Sequence, residues 1–174
     1  MVASRVQNIN RLKKQMSIQT IGPNKLNKLA HVRFFKNAQN LRLQMKKQAA
    51  IIRPKFQLVL DVLQAELGNK KIATWSRPKG GYFISFNTLP GCAKKVVKMA
   101  AAAGVALTNA GATFPYGSDP QDQNIRIAPT YPPLDELKTA MELFTICVQL
   151  VSIEKILRDR ETANPPLESK LQIV

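Results

Sequence analysis

Apolar positions recur at helical spacing through the first third of the chain and change period in the middle. Leu26, Leu29, Val32 and Phe35, then Leu41, Met45, Ala49 and Ile52, predict helix over 24–53 with one or two breaks. Gly22-Pro23 marks the entry. Pro54 forces its predecessor away from the α region, so a kink or a fresh start is expected there. Ile52, Phe56, Val59, Leu60, Leu63 and Leu67 form a further stripe that Gly68 should stop.

Beyond Gly68 the pattern turns to strands. Ile72–Trp75 is short and β-rich. Pro78-Lys79-Gly80-Gly81 is a turn signal, and Tyr82–Phe86 reads as the strand after it. Residues 92–103 alternate Lys with Val, Met and Ala as a helix does, ending at Gly104. Val105-Ala106-Leu107 predicts a strand, 109–121 a loop rich in Gly, Pro, Asn and Asp, and Asn124–Ala128 a last strand. Tyr131-Pro132-Pro133 opens a long helix whose stripe is Leu134, Leu137, Met141, Phe144, Val148 and Val151. Asp135 and Glu136 at its start and Lys155 and Arg158 near its end suit the helix dipole. The expected fold is therefore α+β: a small mixed β-sheet with helices packed on one face, preceded by a helical arm. The expected divisions are a basic leader over 1–16 (disordered or helical), a helical arm over 17–53, a small domain over 54–158 and a flexible tail over 159–174.

Charge changes this picture in one place. The chain carries a net +15 over 174 residues, which raises a nucleic-acid or anionic-surface partner. The excess is local, however. No Asp or Glu precedes Asp61, whereas thirteen Lys and Arg from Arg5 to Lys55 do, and the signs nearly balance afterwards. Within 1–16, Val2, Val6, Ile9, Leu12 and Met16 fall on one helical stripe among basic residues. That pattern fits either an organellar targeting segment or a leader without function. No apolar run is long enough to cross a bilayer, no secretory h-region follows the basic start, and Cys92 and Cys147 have no CxxC partner. These features predict a cytoplasmic protein with two reduced thiols.

Candidate chemistry is sparse. The single histidine, His31, has no nucleophile context and reads as structural. There is no zinc spacing, P-loop, dinucleotide fingerprint or carboxylate pair, and Gly80-Gly81 is a bare pair. One residue is out of place: Arg126 lies between Ile125 and Ile127 in a short strand, so its guanidinium points to the opposite face from theirs. It is either solvated or aimed into a cleft, where its fork suits a carboxylate.

Three separated motifs, in order, carry a family resemblance. They are the run Arg77-Pro-Lys-Gly-Gly-Tyr-Phe-Ile-Ser-Phe86, the run Gly104-Val-Ala-Leu-Thr-Asn-Ala-Gly-Ala-Thr-Phe-Pro-Tyr-Gly117, and Asn124-Ile-Arg-Ile-Ala-Pro129. They resemble the C-terminal portion of fold-type I pyridoxal-phosphate-dependent aminotransferases, class I/II, in the bacterial aspartate-aminotransferase-like branch. Ser17–Pro23 and His31–Phe35 are similar to that branch too, so the resemblance spans 17–158. It implies an aminotransferase small domain in which Arg126 binds the substrate α-carboxylate. It also implies that Gly81, Tyr82 and Phe83 border the substrate and that Thr113 and Phe114 lie on a loop at the mouth of the site. Asn109 stands where the family usually has Pro.

The cofactor implied for the intact family is pyridoxal 5'-phosphate. The lysine that forms its Schiff base, the acid at the pyridine nitrogen and the phosphate cradle belong to the family's large domain. That domain precedes the stretch matched by Ser17, so no catalytic, cofactor or metal residue is assigned here; Lys13 and Lys14 lack a Ser/Thr-x-x-Lys context. The resemblance thus implies a fragment that binds an amino-acid or 2-oxo-acid carboxylate but does not catalyse alone. Two other functions stand beside it. One is a basic nucleic-acid- or anion-binding module, which a charged and solvated helix face disfavours. The other is a scaffold or partner subunit, pairing with a separately encoded large domain or as a homodimer.

Overall fold

The structure, a computed structural model, describes residues 4–20, 22 and 24–163. Val2, Pro23 and the tail over 164–174, about which the sequence makes predictions, lie outside the described residues. The chain divides into two units, 1–48 and 49–174.

The first unit is helical. Helix α1 (Val6–Gln19) runs across the expected boundary between 16 and 17, helix α2 (Lys25–Phe35) lies within the expected arm, and neither buries a residue. Asn24 caps α2: its Oδ1 accepts from the Asn27 amide at 3.0 Å, which satisfies one free N–H of the first turn. Helix α3 begins in this unit and runs Ala38–Leu67. Pro54 does not end it, so the fresh start that was one of the two expectations does not occur. Proline removes only its own bond to the carbonyl of Ala50, and the stripe of Val59, Leu63 and Leu67 beyond it is fully buried.

The second unit holds the core. After the stop at Gly68, strands β1 (Ala73–Trp75), β2 (Ile84–Thr88) and β3 (Asn124–Ile127) form a three-stranded sheet in the order β1-β2-β3, both pairings antiparallel. Helix α4 (Ala93–Ala102) connects β2 to the loop before β3, and helix α5 (Leu134–Ala163) follows β3. This is the α+β layout expected, with one difference. Val105–Leu107 does not pair, and the sheet is antiparallel rather than mixed. Val105 is instead spent on ending α4: its amide donates to the Ala100 carbonyl, and Gly104 takes φ +88°. Tyr82 and Phe83 fall just before β2 rather than inside it. Helix α5 continues through 159–163, which were expected to be tail.

Register sorts the sheet into two faces. Ile84 faces Ile127 and Phe86 faces Ile125 on the buried side. They pack with Val59 and Leu63 of α3, Val96 and Ala100 of α4, and Phe144 and Val148 of α5 in one cluster. Phe86 stacks on Trp75 and meets Phe144 edge-on, centroids 5.1 Å apart. On the opposite side Ser85 faces Arg126 and Asn87 faces Asn124. A period of two therefore delivers a polar face from strands whose other face is the core.

Candidate carboxylate site

The polar side of β2 and β3 carries the site. The guanidinium carbon of Arg126 sits 4.4 Å from the ring centroid of Phe83, a cation–π contact. Its Nε is buried and has no hydrogen-bond partner. A buried N–H with no acceptor is costly, and most are paired. Among the described residues only Ser152 Oγ shares that condition.

Beside Arg126 lies a closed amide–hydroxyl network. Asn124 Nδ2 donates to Ser85 Oγ at 2.9 Å and to Asn87 Oδ1 at 2.6 Å, and its Oδ1 accepts from Thr113 Oγ1 at 2.7 Å. Thr113 belongs to the loop before β3. Asp119 gathers that loop: its carboxylate accepts from the amides of Gln121, Gln123 and Asn124. Desolvation pushes the Asp119 carboxyl up, but these three amides, helped by Lys94, outweigh it and hold the group below its ordinary value. Gly111 is required by close approach as well as by its φ of +81°, because a Cβ there would lie 2.5 Å from the Gly117 carbonyl oxygen. Asp122 then links the loop to α4, accepting from the Lys94 amide at 3.2 Å in the helix's first turn.

A cleft of about 710 Å³ borders the same strand. Its walls include Val105, Leu107, Arg126, Pro129, Asp135 and Phe144. Lys55 pins one rim by donating to the backbone carbonyls of Thr130 at 2.8 Å and Tyr131 at 3.4 Å.

Of the residues the sequence singles out, the structure joins Arg126 to Phe83 directly and brings Thr113 to the same face through Asn124. Gly81, at φ +89°, is the turn that delivers Tyr82 and Phe83 to β2. Tyr82 is exposed, and Phe114 lies at the surface of the loop. Ser85, Asn87 and Asn124 were missed as a group. Their alternation with Ile84, Phe86 and Ile125 was the available signal, but only strand pairing shows that they meet. His31 is exposed on α2, where Nδ1 lies 2.7 Å from the Asn27 carbonyl. Cys92 and Cys147 are buried and unpaired, and burial pushes both thiols up. Among the described residues there is no cluster of three or more potential metal ligands, and no helix is long and apolar enough to cross a membrane.

The side chains tied to this face by hydrogen bond or stacking are hydroxyls, amides and a phenyl ring, and none is a lysine. That set suits a carboxylate received by an arginine. It does not fit pyridoxal phosphate, which needs an amine to attach to and an acid at its ring nitrogen.

Fold and face together define a small α+β domain with an arginine waiting on its polar side, and the comparisons give that class a family. The family model described as aspartate amino-transferase matches residues 1–160, and the chain belongs to that family. An aminotransferase of Mycolicibacterium smegmatis is 47% identical over 142 residues, covering 82% of this chain and 33% of that protein. The aspartate aminotransferase of Corynebacterium glutamicum is 46% identical over 137 residues, covering 79% and 32%. Among solved structures, an aminotransferase from Corynebacterium diphtheriae superposes with a TM-score of 0.78 at 45% identity, covering 87% of this chain and 38% of its own. An α-aminoadipate aminotransferase from Thermus thermophilus, complexed with N-(5'-phosphopyridoxyl)-L-leucine, shares the fold at a TM-score of 0.65 and 18% identity. The chain spans about a third of the length of the curated relatives it matches.

Proposed function

We propose that this chain supplies the substrate-carboxylate end of a pyridoxal-phosphate-dependent aminotransferase, with Arg126 as the anchor for the carboxylate of an amino or 2-oxo acid. The observation that carries the reading is the buried, unpartnered Nε of Arg126 on a polar sheet face. A carboxylate bound to Nε and one Nη would supply the missing acceptor with two parallel, charge-assisted hydrogen bonds. Phe83 packs against the guanidinium, which limits the rotamer freedom lost on binding. Tyr82, Gly81 and Phe114 border the same region in this reading. The cofactor is held by residues other than those of this face, and the chain alone binds a carboxylate without transferring an amino group. It acts in the cytoplasm, in keeping with two unpaired buried thiols.

NMR titration tests this directly. Pyruvate should shift the Arg126 Nε–H signal saturably while its neutral amide does not, and Arg126→Lys should weaken binding roughly tenfold or more, because an ammonium cannot form the bidentate fork. Equal binding by Arg126→Lys would sink the assignment. Stoichiometric, borohydride-trappable attachment of pyridoxal phosphate would overturn the claim that the cofactor is held elsewhere.

One further observation favours a protein partner. Helices α1 and α2 bury nothing, yet Val6, Leu26, Leu29, Val32 and Phe34 are exposed on them. The matched family span includes both helices, so their apolar residues suit the remainder of an aminotransferase, or a second copy, better than nucleic acid. Light scattering should then show self-association of the pure chain. DNA affinity falling steeply with salt would favour the basic-module reading instead.

A further inference from the structure

The loop over 109–123 and the sheet face meet at one side chain. We propose that Asn124 is a positioning residue for the carboxylate site: it fixes the loop, through Thr113, to the strand that carries Arg126. This rests on the reading of Arg126 as the carboxylate anchor and adds to it how the anchor's surroundings are set.

The geometry is an accounting of polar groups. Asn124 is buried, with 8% of its surface exposed, and all of its hydrogen-bonding groups are engaged. The amide nitrogen of its side chain reaches Ser85 and Asn87 on β2, its side-chain oxygen takes the Thr113 hydroxyl, its backbone N–H goes to Asp119 Oδ2 at 2.8 Å, and its backbone carbonyl accepts from Gly111 N at 3.4 Å. One residue thus ties β2, β3 and three points of the loop together. It stands two positions from Arg126 on the same strand face, so the loop's distance from the guanidinium is set through it. A buried side-chain amide at the first residue of β3 would be costly to leave unpaired, and here every one of its donors and acceptors is met. A saturated hub of this kind suits the need to hold groups around an anchor in fixed positions.

The same geometry revises the part played by Thr113. Its only O–H is committed inward to Asn124. Toward a ligand the hydroxyl offers acceptor lone pairs alone, the wrong polarity for a carboxylate. Thr113 therefore acts as the loop's fastener rather than as a contact to the carboxylate.

The test uses the full chain with pyruvate as the probe. Thr113→Val removes the fastening bond at an exposed position and should weaken pyruvate roughly three- to tenfold, the range for one hydrogen bond. Thr113→Ser keeps the hydroxyl and should stay within about twofold of wild type, on the same scale of hydrogen-bond energies. In the ligand-free protein Thr113→Val should also shift the Arg126 Nε–H signal, which loss of a mere ligand contact would not do. Asn124→Ala should weaken binding at least as much, with no further loss when Thr113→Val is added. Wild-type affinity and an unmoved Nε–H signal in Thr113→Val, or losses that add in the double variant, would overturn the proposal. If Asn124→Ala does not fold, the two Thr113 variants and the ligand-free signal decide it alone. If wild-type protein does not bind pyruvate and Arg126→Lys makes no difference, the anchor reading itself fails, and the positioning role falls with it.

Discussion

The first and second units are built from similar apolar residues at similar spacing, yet they behave differently. Leu26, Leu29 and Val32 recur every three residues along α2 much as Val59, Leu63 and Leu67 recur every four along α3. The second set is buried and the first is exposed. Charge runs parallel to this division: the acid-free, basic stretch covers the whole first unit, while the second is nearly neutral. Periodicity reports that a helix has a face and says nothing about whether that face has a neighbour. A stripe becomes core only when strands or helices from elsewhere arrive to cover it.

The contrast can be broken most forcefully in the core. Phe86→Ala removes a fully buried ring packed between Trp75 and Phe144 and should cost about 3–5 kcal/mol, read as a lower urea midpoint or loss of the cooperative transition. Gly111→Ala comes next. The added Cβ meets the Gly117 carbonyl oxygen and the backbone is left-handed, so about 1–3 kcal/mol should be lost, together with altered amide signals over 109–124.

Acid should then loosen the same loop selectively. Because Asp119 titrates below its ordinary value in the folded chain, its contribution is fully present above the unfolded value of about 3.9 and is lost as pH falls through the lower folded value. Protection of the Gln121, Gln123 and Asn124 amides against exchange should hold from neutral pH down to mild acid and fall only in that window. Loss of protection near neutrality would show that the carboxylate does not organise the loop. The smallest effect belongs to the first unit: Phe34→Ala should change stability by no more than about 0.5 kcal/mol in the isolated chain. A loss comparable to that of Phe86→Ala would erase the distinction between the two units.

How much of this was legible in advance differs by feature. Helices α1, α2, α4 and α5 and strands β1 and β3 follow from periodicity and punctuation, because those signals are local. Val105–Leu107 shows the limit. Its β-branched and apolar residues suit a strand, but the chain needs Val105 to close α4 after Gly104, and without a hydrogen-bonded neighbour the segment stays irregular. At Pro54 the chain does not start a new helix, because the stripe beyond it is buried and the helix continues through the breaker. Arg126 stood out from its neighbours alone. Asn124 did not, because an asparagine beside an isoleucine is ordinary until Ser85, Asn87 and Thr113 are seen to converge on it.

By itself the sequence determined that an arginine would face away from the core on a short strand, and its motifs carried the aminotransferase family. Alternation along a strand and motif order are properties of the chain read locally. Only the tertiary structure decided which polar groups share Arg126's face, that its Nε lacks a partner, and that the first unit's stripes lie exposed. Each of these depends on atoms brought together from distant parts of the chain, and on which groups burial leaves without water or a hydrogen bond.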